Sequence, residues 1–231
     1  QNQKTQKLPN SVNTLSHEVP QNISLDGNTL VLFGNYAYLP EYRLEIRQQA
    51  EKLGKGDLFY AEKQKDNSWG RVRAFPSPIN SEEYDFNLTF SADQKAVFFA
   101  SDRKQIAIKN KNYRPKAPRN QLYFHGREEF NTDIYVSEWN DNEMTWSEPV
   151  NLGEIINTPF AEAMPFLHPD MKTLYFISDG HYGLGSADIF MSKRLNPNSW
   201  TEWSEPINLG KSINTTSKEA FYMSNSGKFA Y

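Results

Sequence analysis

Residues 146–163 read WSEPVNLGEIINTPFAEA, and residues 203–220 read WSEPINLGKSINTTSKEA. The strings start 57 residues apart and agree at 12 of 18 positions. Agreement of this length marks an internal repeat, and a repeat decides architecture before any local motif does. Its kernel is Ile-Asn-Thr with an acid four residues after the threonine. It occurs four times: Val12-Asn13-Thr14 with Glu18, Ile79-Asn80-Ser81 with Asp85, Ile156-Asn157-Thr158 with Glu162, and Ile213-Asn214-Thr215 with Glu219. The steps are 67, 77 and 57 residues.

The same events follow each kernel. A short run comes first, then a turn at Asp26-Gly27, Ala92-Asp93, Pro169-Asp170 or Ser226-Gly227. Aspartate bonds nearby backbone and glycine tolerates positive φ, so these are turn signals with a mechanism. A β-rich run follows (TLVLF, KAVFFAS, KTLYFIS, KFAY). A connection of variable length then leads to alternating apolar positions after Asp57, Asp133 or Asp188, the pattern of a half-buried strand. A loop carrying Trp69, Trp146 or Trp203 returns the chain to the next kernel. Each unit therefore predicts four short antiparallel strands, and the fold class is all-β. One such unit cannot bury both its faces. Stacking units around an axis does so, which predicts a β-propeller.

The expected segments are a blade end at 8–14, blades at 18–81, 85–158 and 162–215, and a partial blade at 219–231. Insertions occupy 34–56 and 103–131, between the second and third strands of the first two blades. A propeller needs roughly four to eight blades. The expectation is thus about half of a larger propeller, the rival being a small one closed by the N-terminal strand.

The stretch HPDMKTLYFISDGHYGLGSADIFMSKR, with WSEPINLGKSINT after it, resembles the WD40-like, Pro-Asp-type propeller repeat of TolB and related bacterial envelope proteins. The version it is most similar to occurs in Bacteroidota, beside helical repeats and an OmpA-like peptidoglycan-binding domain. The resemblance covers nearly the whole chain and departs most in the first unit, where RVRAFPSPIN stands for EPVNLGEIIN. It implies a periplasmic or outer-membrane-associated protein, with a link to type IX secretion or gliding.

Composition removes several function classes. The 231 residues include no cysteine, which excludes disulfides and thiolate chemistry within them. The formal net charge of -3 gives no general case for nucleic-acid binding. The longest apolar runs are too short to span a membrane as a helix. There is no Gly-x-Ser-x-Gly elbow and no P-loop. His17, His125, His168 and His181 are dispersed. No catalytic, metal or cofactor residue is assigned.

The repeated acids, Glu18, Asp85, Glu162 and Glu219 at the first strands and Asp57, Asp133 and Asp188 before the third, read as structural. Recurrence in every unit is what an architectural role predicts. A cation ring at a channel mouth is the rival. Trp69, Trp146 and Trp203 are expected to cover the blade edges or the space between blades. What varies is the pair of insertions. The first predicts a short helix between Pro40 and Gly54. The second holds Arg103, Lys104, Lys109, Lys111, Arg114, Lys116, Arg119 and Arg127, together with Tyr113 and Tyr123, and no acid lies between Arg103 and Arg127. Antiparallel geometry puts both insertions and the kernels at one end of the blades.

The leading expectation is a non-catalytic interaction scaffold of the cell envelope. It would grip an envelope protein or a peptidoglycan-linked assembly through the insertion face, as part of a larger complex or a longer chain. The alternatives are a propeller accessory to a peptidase or a glycan-active hydrolase, and a glycan-binding module using Tyr36, Tyr38, Tyr113 and Tyr123.

Overall fold

Alternating apolar runs bounded by Asp-containing turns pair here as local meanders. The computed structural model describes residues 7–14, 17–34, 36, 46, 54, 56–103, 132–215, 221, 224 and 227–228. The first sheet is formed by β1 (Glu18–Ile23), β2 (Thr29–Gly34), β3 (Asp57–Glu62) and β4 (Arg73–Ala74), hydrogen-bonded in that order. The second contains β5 (Asp85–Phe90), β6 (Ala96–Ser101) and β7 (Asp133–Asn140). β8 (Thr145–Trp146) and β9 (Val150–Asn151) both pair with β7. The third contains β10 (Glu162–Leu167), β11 (Thr173–Ser178), β12 (Asp188–Lys193) and β13 (Ile207–Asn208), again in order. Every strand pairing within these sheets is antiparallel. The two short pieces β8 and β9 have counterparts in the other sheets, where Trp69 bridges Lys63 and Trp203 bridges Arg194 ahead of β4 and β13.

The turn between first and second strands is built alike three times. Asp26 accepts from the Ser24 hydroxyl and the Asn28 N–H, and Asp93 from the Ser91 hydroxyl and the Lys95 N–H. Asp170 accepts from the Lys172 and Thr173 N–H groups. The residue after each aspartate is left-handed: Gly27 at φ 74°, Gln94 at 58° and Met171 at 59°.

The sheets meet face to face. Val31, Leu58 and Ile79 of the first unit share a core with Leu88, Val97 and Phe99 of the second. Phe98, Ile134 and Ile156 of the second share another with Leu174, Phe176 and Phe190 of the third. β5 touches both β1 and β10, so the first strands lie side by side. Each bulges, between Pro20 and Asn22, Phe86 and Thr89, and Ala163 and Phe166. The Gln21 carboxamide oxygen bridges β1 to β5 by accepting from the Asn87 N–H and side-chain amide. On the outer rim Trp200 reaches back from the third sheet. Its ring meets Phe98 edge-on at 5.1 Å, its Nε1–H donates to Glu138, and the Arg194 guanidinium lies over it.

The kernel asparagine joins each turn to the third strand. The Asn80 side chain accepts from the Leu58 N–H and donates to the Leu58 carbonyl, both at 2.9 Å. Asn157 does the same with Ile134, and Asn214 with Ile189. A carboxamide carries a donor and an acceptor in one plane, so it pairs with a strand as another peptide would. Asn157 and Asn214 also donate to Asn151 and Asn208, whose own amides donate to Asp133 and Asp188. In the first unit Ala74 and Pro76 replace Asn151 and Gly153, and Asn80 turns to the Phe75 carbonyl instead.

These asparagines predict a stability pattern. Asn157→Ala leaves the buried N–H of Ile134 unpaired, at about 1–3 kcal/mol, while the Ile134 carbonyl keeps its bond from the Leu152 N–H. Urea unfolding should show a large drop in midpoint. Asn13→Ala, which removes a bond only to the Leu8 carbonyl, should show a small one.

Candidate functional site

Strand register aligns a row of residues at one end of every sheet. Glu18 lies opposite Gly34, which lies opposite Asp57. Asp85, Ser101 and Asp133 form the second row, and Glu162, Ser178 and Asp188 the third. The 34–56 and 103–131 insertions leave and rejoin the sheets at these rows.

Each kernel acid closes its own turn. The Glu18 carboxylate accepts from the Thr14 N–H and hydroxyl. Asp85 accepts from the Ser81 N–H and hydroxyl, both at 2.7 Å. Glu162 accepts from the Thr158 N–H and hydroxyl, and from the Ser178 hydroxyl at 2.5 Å. Asp85 and Glu162 are fully buried, so they do not line an open channel mouth. Glu219 lies outside the described residues.

Backbone bonds bring the aspartates that start the third strands near the next sheet's acid at each described seam. Asp85 N–H donates to the Gly56 carbonyl, and Glu162 N–H to that of Thr132. Asp57 accepts from the Gly54 N–H, Asp188 from Leu184, Gly185 and Asn208, and Asp133 from Asn151. Burial pushes Asp57 up to about 6, and the nearby Asp85 charge adds to it. Burial pushes Asp133 up to about 7. Glu162 is raised well above the carboxylate range, first by burial and then by the Asp133 charge. The Asp133 Oδ1 atom is buried without a partner among the described residues. In the other two sheets this oxygen takes the N–H three residues earlier, and position 130 lies outside those residues.

Two residues past the second strand, a side chain returns into the seam. The Tyr36 hydroxyl donates to the Val12 carbonyl at 2.8 Å. The Arg103 guanidinium donates to the Ile79 carbonyl at 2.5 Å and the Pro78 carbonyl at 3.0 Å, and pairs with Asp85 at 2.6 Å. The His181 ring, one residue later, bonds the Ile156 carbonyl at 2.9 Å. Tyr36 packs on Phe59, Arg103 lies over Phe99 and Tyr135, and His181 packs on Phe176 and Phe190. Three different residues thus hold the same carbonyl of the preceding kernel.

This geometry corrects two expectations. Arg103 is committed inward, so it is a root of the basic insertion and not a side chain presented to a partner. Tyr36 is fully buried, so it cannot stack on a glycan. Lys104, Lys109, Lys111, Arg114, Lys116, Arg119, Arg127, Tyr113, Tyr123, Tyr38 and His125 lie outside the described residues. Of the expected helix between Pro40 and Gly54, Ile46 is described inside the core with Val12, Tyr36 and Phe59. Trp203 is buried, and Trp69 and Trp146 pack half-buried on the cores.

A concavity lies where the bulged first strands converge. It is a small open cleft of about 50 Å³ lined by Gln21, Asn87, Met164, Phe166 and Phe221. No group of three metal-binding side chains occurs among the described residues. Sequence reading found the acids but missed the asparagine clamp and the Tyr36/Arg103/His181 position. The invariant Asn beside each Thr was a visible signal for the first. Nothing in residue type signalled the second.

No family model and no curated protein matches the chain. Among solved structures it is similar to a Bacteroides uniformis protein assigned as a 6-phosphogluconolactonase, with TM-score 0.38 and 14% identity over 93% of this chain and 46% of that one. A Mycobacterium tuberculosis puromycin-hydrolyzing peptidase aligns with TM-score 0.42 and 13% identity, over 85% of this chain and 24% of that one. Kuenenia stuttgartiensis hydrazine synthase aligns with TM-score 0.39 and 13% identity, over 90% and 53%. The chain spans about half or less of each of these structures.

Arg103 offers a direct test of the first seam. Arg103→Met keeps the packing length but leaves Asp85 buried and unpaired, a loss of about 3–5 kcal/mol. Adding Asp85→Asn should restore part of it. Urea unfolding of the two single variants and the double variant measures the coupling.

Proposed function

We propose that the three sheets are successive blades of a β-propeller that serves as a non-catalytic interaction scaffold of the bacterial cell envelope. Sequential antiparallel sheets of four and five strands, face-to-face cores and adjacent first strands favour the propeller. The envelope assignment rests on the resemblance to TolB-like repeats. None of the helices among the described residues is long and apolar enough to cross a membrane.

One observation carries the binding role. The repeated features are used up in holding the sheets together, whereas the segment rooted at Arg103 adds seven further Lys/Arg residues and no acid before Asp133 except Glu128 and Glu129. A basic, tyrosine-bearing segment beside a rigid row of strand ends suits an acidic protein surface or an anionic envelope polymer. Rigid scaffolds with variable connections are where recognition is usually found. An accessory role beside a hydrolase is the second reading, and the open cleft between the first strands is the feature that favours it.

Deleting 104–130 while retaining Arg103 should abolish capture of a specific partner from envelope extracts and leave the unfolding midpoint near that of the parent. An unchanged set of captured proteins overturns the binding role. Charge reversal at Lys104, Lys109, Lys111 and Lys116 should weaken the same capture and reduce its salt dependence.

A further inference from the structure

Residues of β1, β5 and β10 line two adjoining hollows. One, of about 50 Å³, is the cleft bounded by Gln21, Asn87, Met164 and Phe221. The other, of about 20 Å³, is bounded by Ile23, Leu25, Phe90, Ala92 and Pro169. Asn22, Thr89 and Phe166 belong to both walls. The second hollow lies at the turns between first and second strands, the opposite end of the sheets from the row where Arg103 is rooted. Among the described residues no charged side chain lines either hollow. Asp26, Asp93 and Asp170 follow Leu25, Ala92 and Pro169 in the chain, but each carboxylate is bound to its own turn. Leu25 nonetheless stands 44% exposed.

The backbone is bent where it borders this place. The register with the second strand skips Gln21 in β1, Asn87 and Leu88 in β5, and Met164 and Pro165 in β10. Asn87 and Met164 are left-handed, at φ 55° and 50°. Asparagine tolerates that conformation, but a methionine in mid-strand seldom adopts it. Strained backbone of this kind concentrates at functional sites. The bulge recurs in every described sheet, whereas its residues do not. Pro20, Asn87 and Met164 hold one position, and Gln21, Leu88 and Pro165 the next. The architecture therefore does not dictate this lining.

We propose that the two hollows form one anchor site for an aliphatic side chain of an extended, uncharged partner segment, with a peptide group of that segment on Gln21 and Asn87. The chain uses the same chemistry on itself, where Asn80, Asn157 and Asn214 each pair with the N–H and C=O of a strand residue. At the cleft, the Asn87 N–H and side-chain amide both donate to the Gln21 oxygen. The two side chains also carry a donor, Gln21 Nε2–H, and an acceptor, Asn87 Oδ1, which is the complement a peptide group requires. Leu25, Phe90, Ala92 and Pro169 meet the ligand side chain with carbon. Size sets the limit. One water needs about 10–15 Å³ on the same measure, so the hollows admit a few methyl-sized groups, enough for one side chain and too little for a cofactor.

Titrating the full chain with the capped tripeptide acetyl-Gly-Leu-Gly-amide, followed by methyl NMR, tests the site. Peptides with serine, lysine or glutamate in place of the leucine serve as comparisons. One side chain and one peptide pair support binding of roughly 1–10 mM. The leucine peptide should shift the Met164, Leu25 and Ala92 methyl signals saturably in that range, and the other three should bind about tenfold more weakly or less. Ala92→Phe fills the second hollow and should abolish the shifts at Met164 and Leu25. Leu25→Ser should weaken binding with the urea midpoint near that of the parent, and it carries the test if Ala92→Phe does not fold. Absence of saturable shifts, equal binding of the serine peptide, or binding unchanged in a folded variant overturns the proposal. Tighter binding of the lysine peptide also overturns it, because recognition would then lie with the turn aspartates.

Discussion

Everything in this molecule hangs on a side chain acting as a piece of backbone. The kernel asparagine pairs with the N–H and C=O of the second residue in the third strand, at Leu58, Ile134 and Ile189. That bond pins the turn leaving one sheet to the strand row of the same sheet. Four residues after the threonine or serine, an acid begins the next sheet and bonds back to that residue's N–H and hydroxyl. The turn is thus clamped at both ends, which sets how far the next first strand lies from the last third strand. Loss of a clamp exposes no surface. It strands a buried peptide N–H, which is why a small polar residue governs so much.

The clamps bring acids to the seams, and each seam must then manage buried charge. Burying an ion is costly unless it is paired or neutral. The first seam pairs Asp85 with Arg103, and the second relies on hydroxyl donors and a raised carboxyl pKa. Aromatic rings support both solutions. Arg103 lies over Phe99 and Tyr135, and His181 sits on Phe176 and Phe190. The seams share their backbone bonds and differ in the side chain that holds the kernel carbonyl, Arg103 at one and His181 at the other.

Repetition and function divide the chain between them. Residues that recur are satisfied inside the sheets and seams, leaving little chemistry over. Residues that do not recur sit in the connections between second and third strands. Even there the boundary is not where charge alone would draw it. Arg103, first in the basic run, belongs to the seam, and Ile46, inside the other insertion, belongs to the core. The scaffold thus holds both insertions by their own residues, a rigid root from which recognition can be built.

The sequence by itself determined the all-β class and its short antiparallel strands, which pair in sheets of four or five, because alternation, Asp turns and the Asn-Thr kernel are local signals that survive without a fold. Glu18, Asp85 and Glu162 were legible as repeated acids, and their bonds to the residue four positions earlier are local too. Only the tertiary structure decided what faces what. Arg103 and His181 share a role although their types and spacing differ, because stacking of sheets places both beside the same kernel carbonyl. The Glu162 N–H bonds the Thr132 carbonyl although the two lie in different sheets, because both stand at the same end of neighbouring strands. Charge compensation across a seam depends on distances between elements remote in the chain, and periodicity carries no record of them.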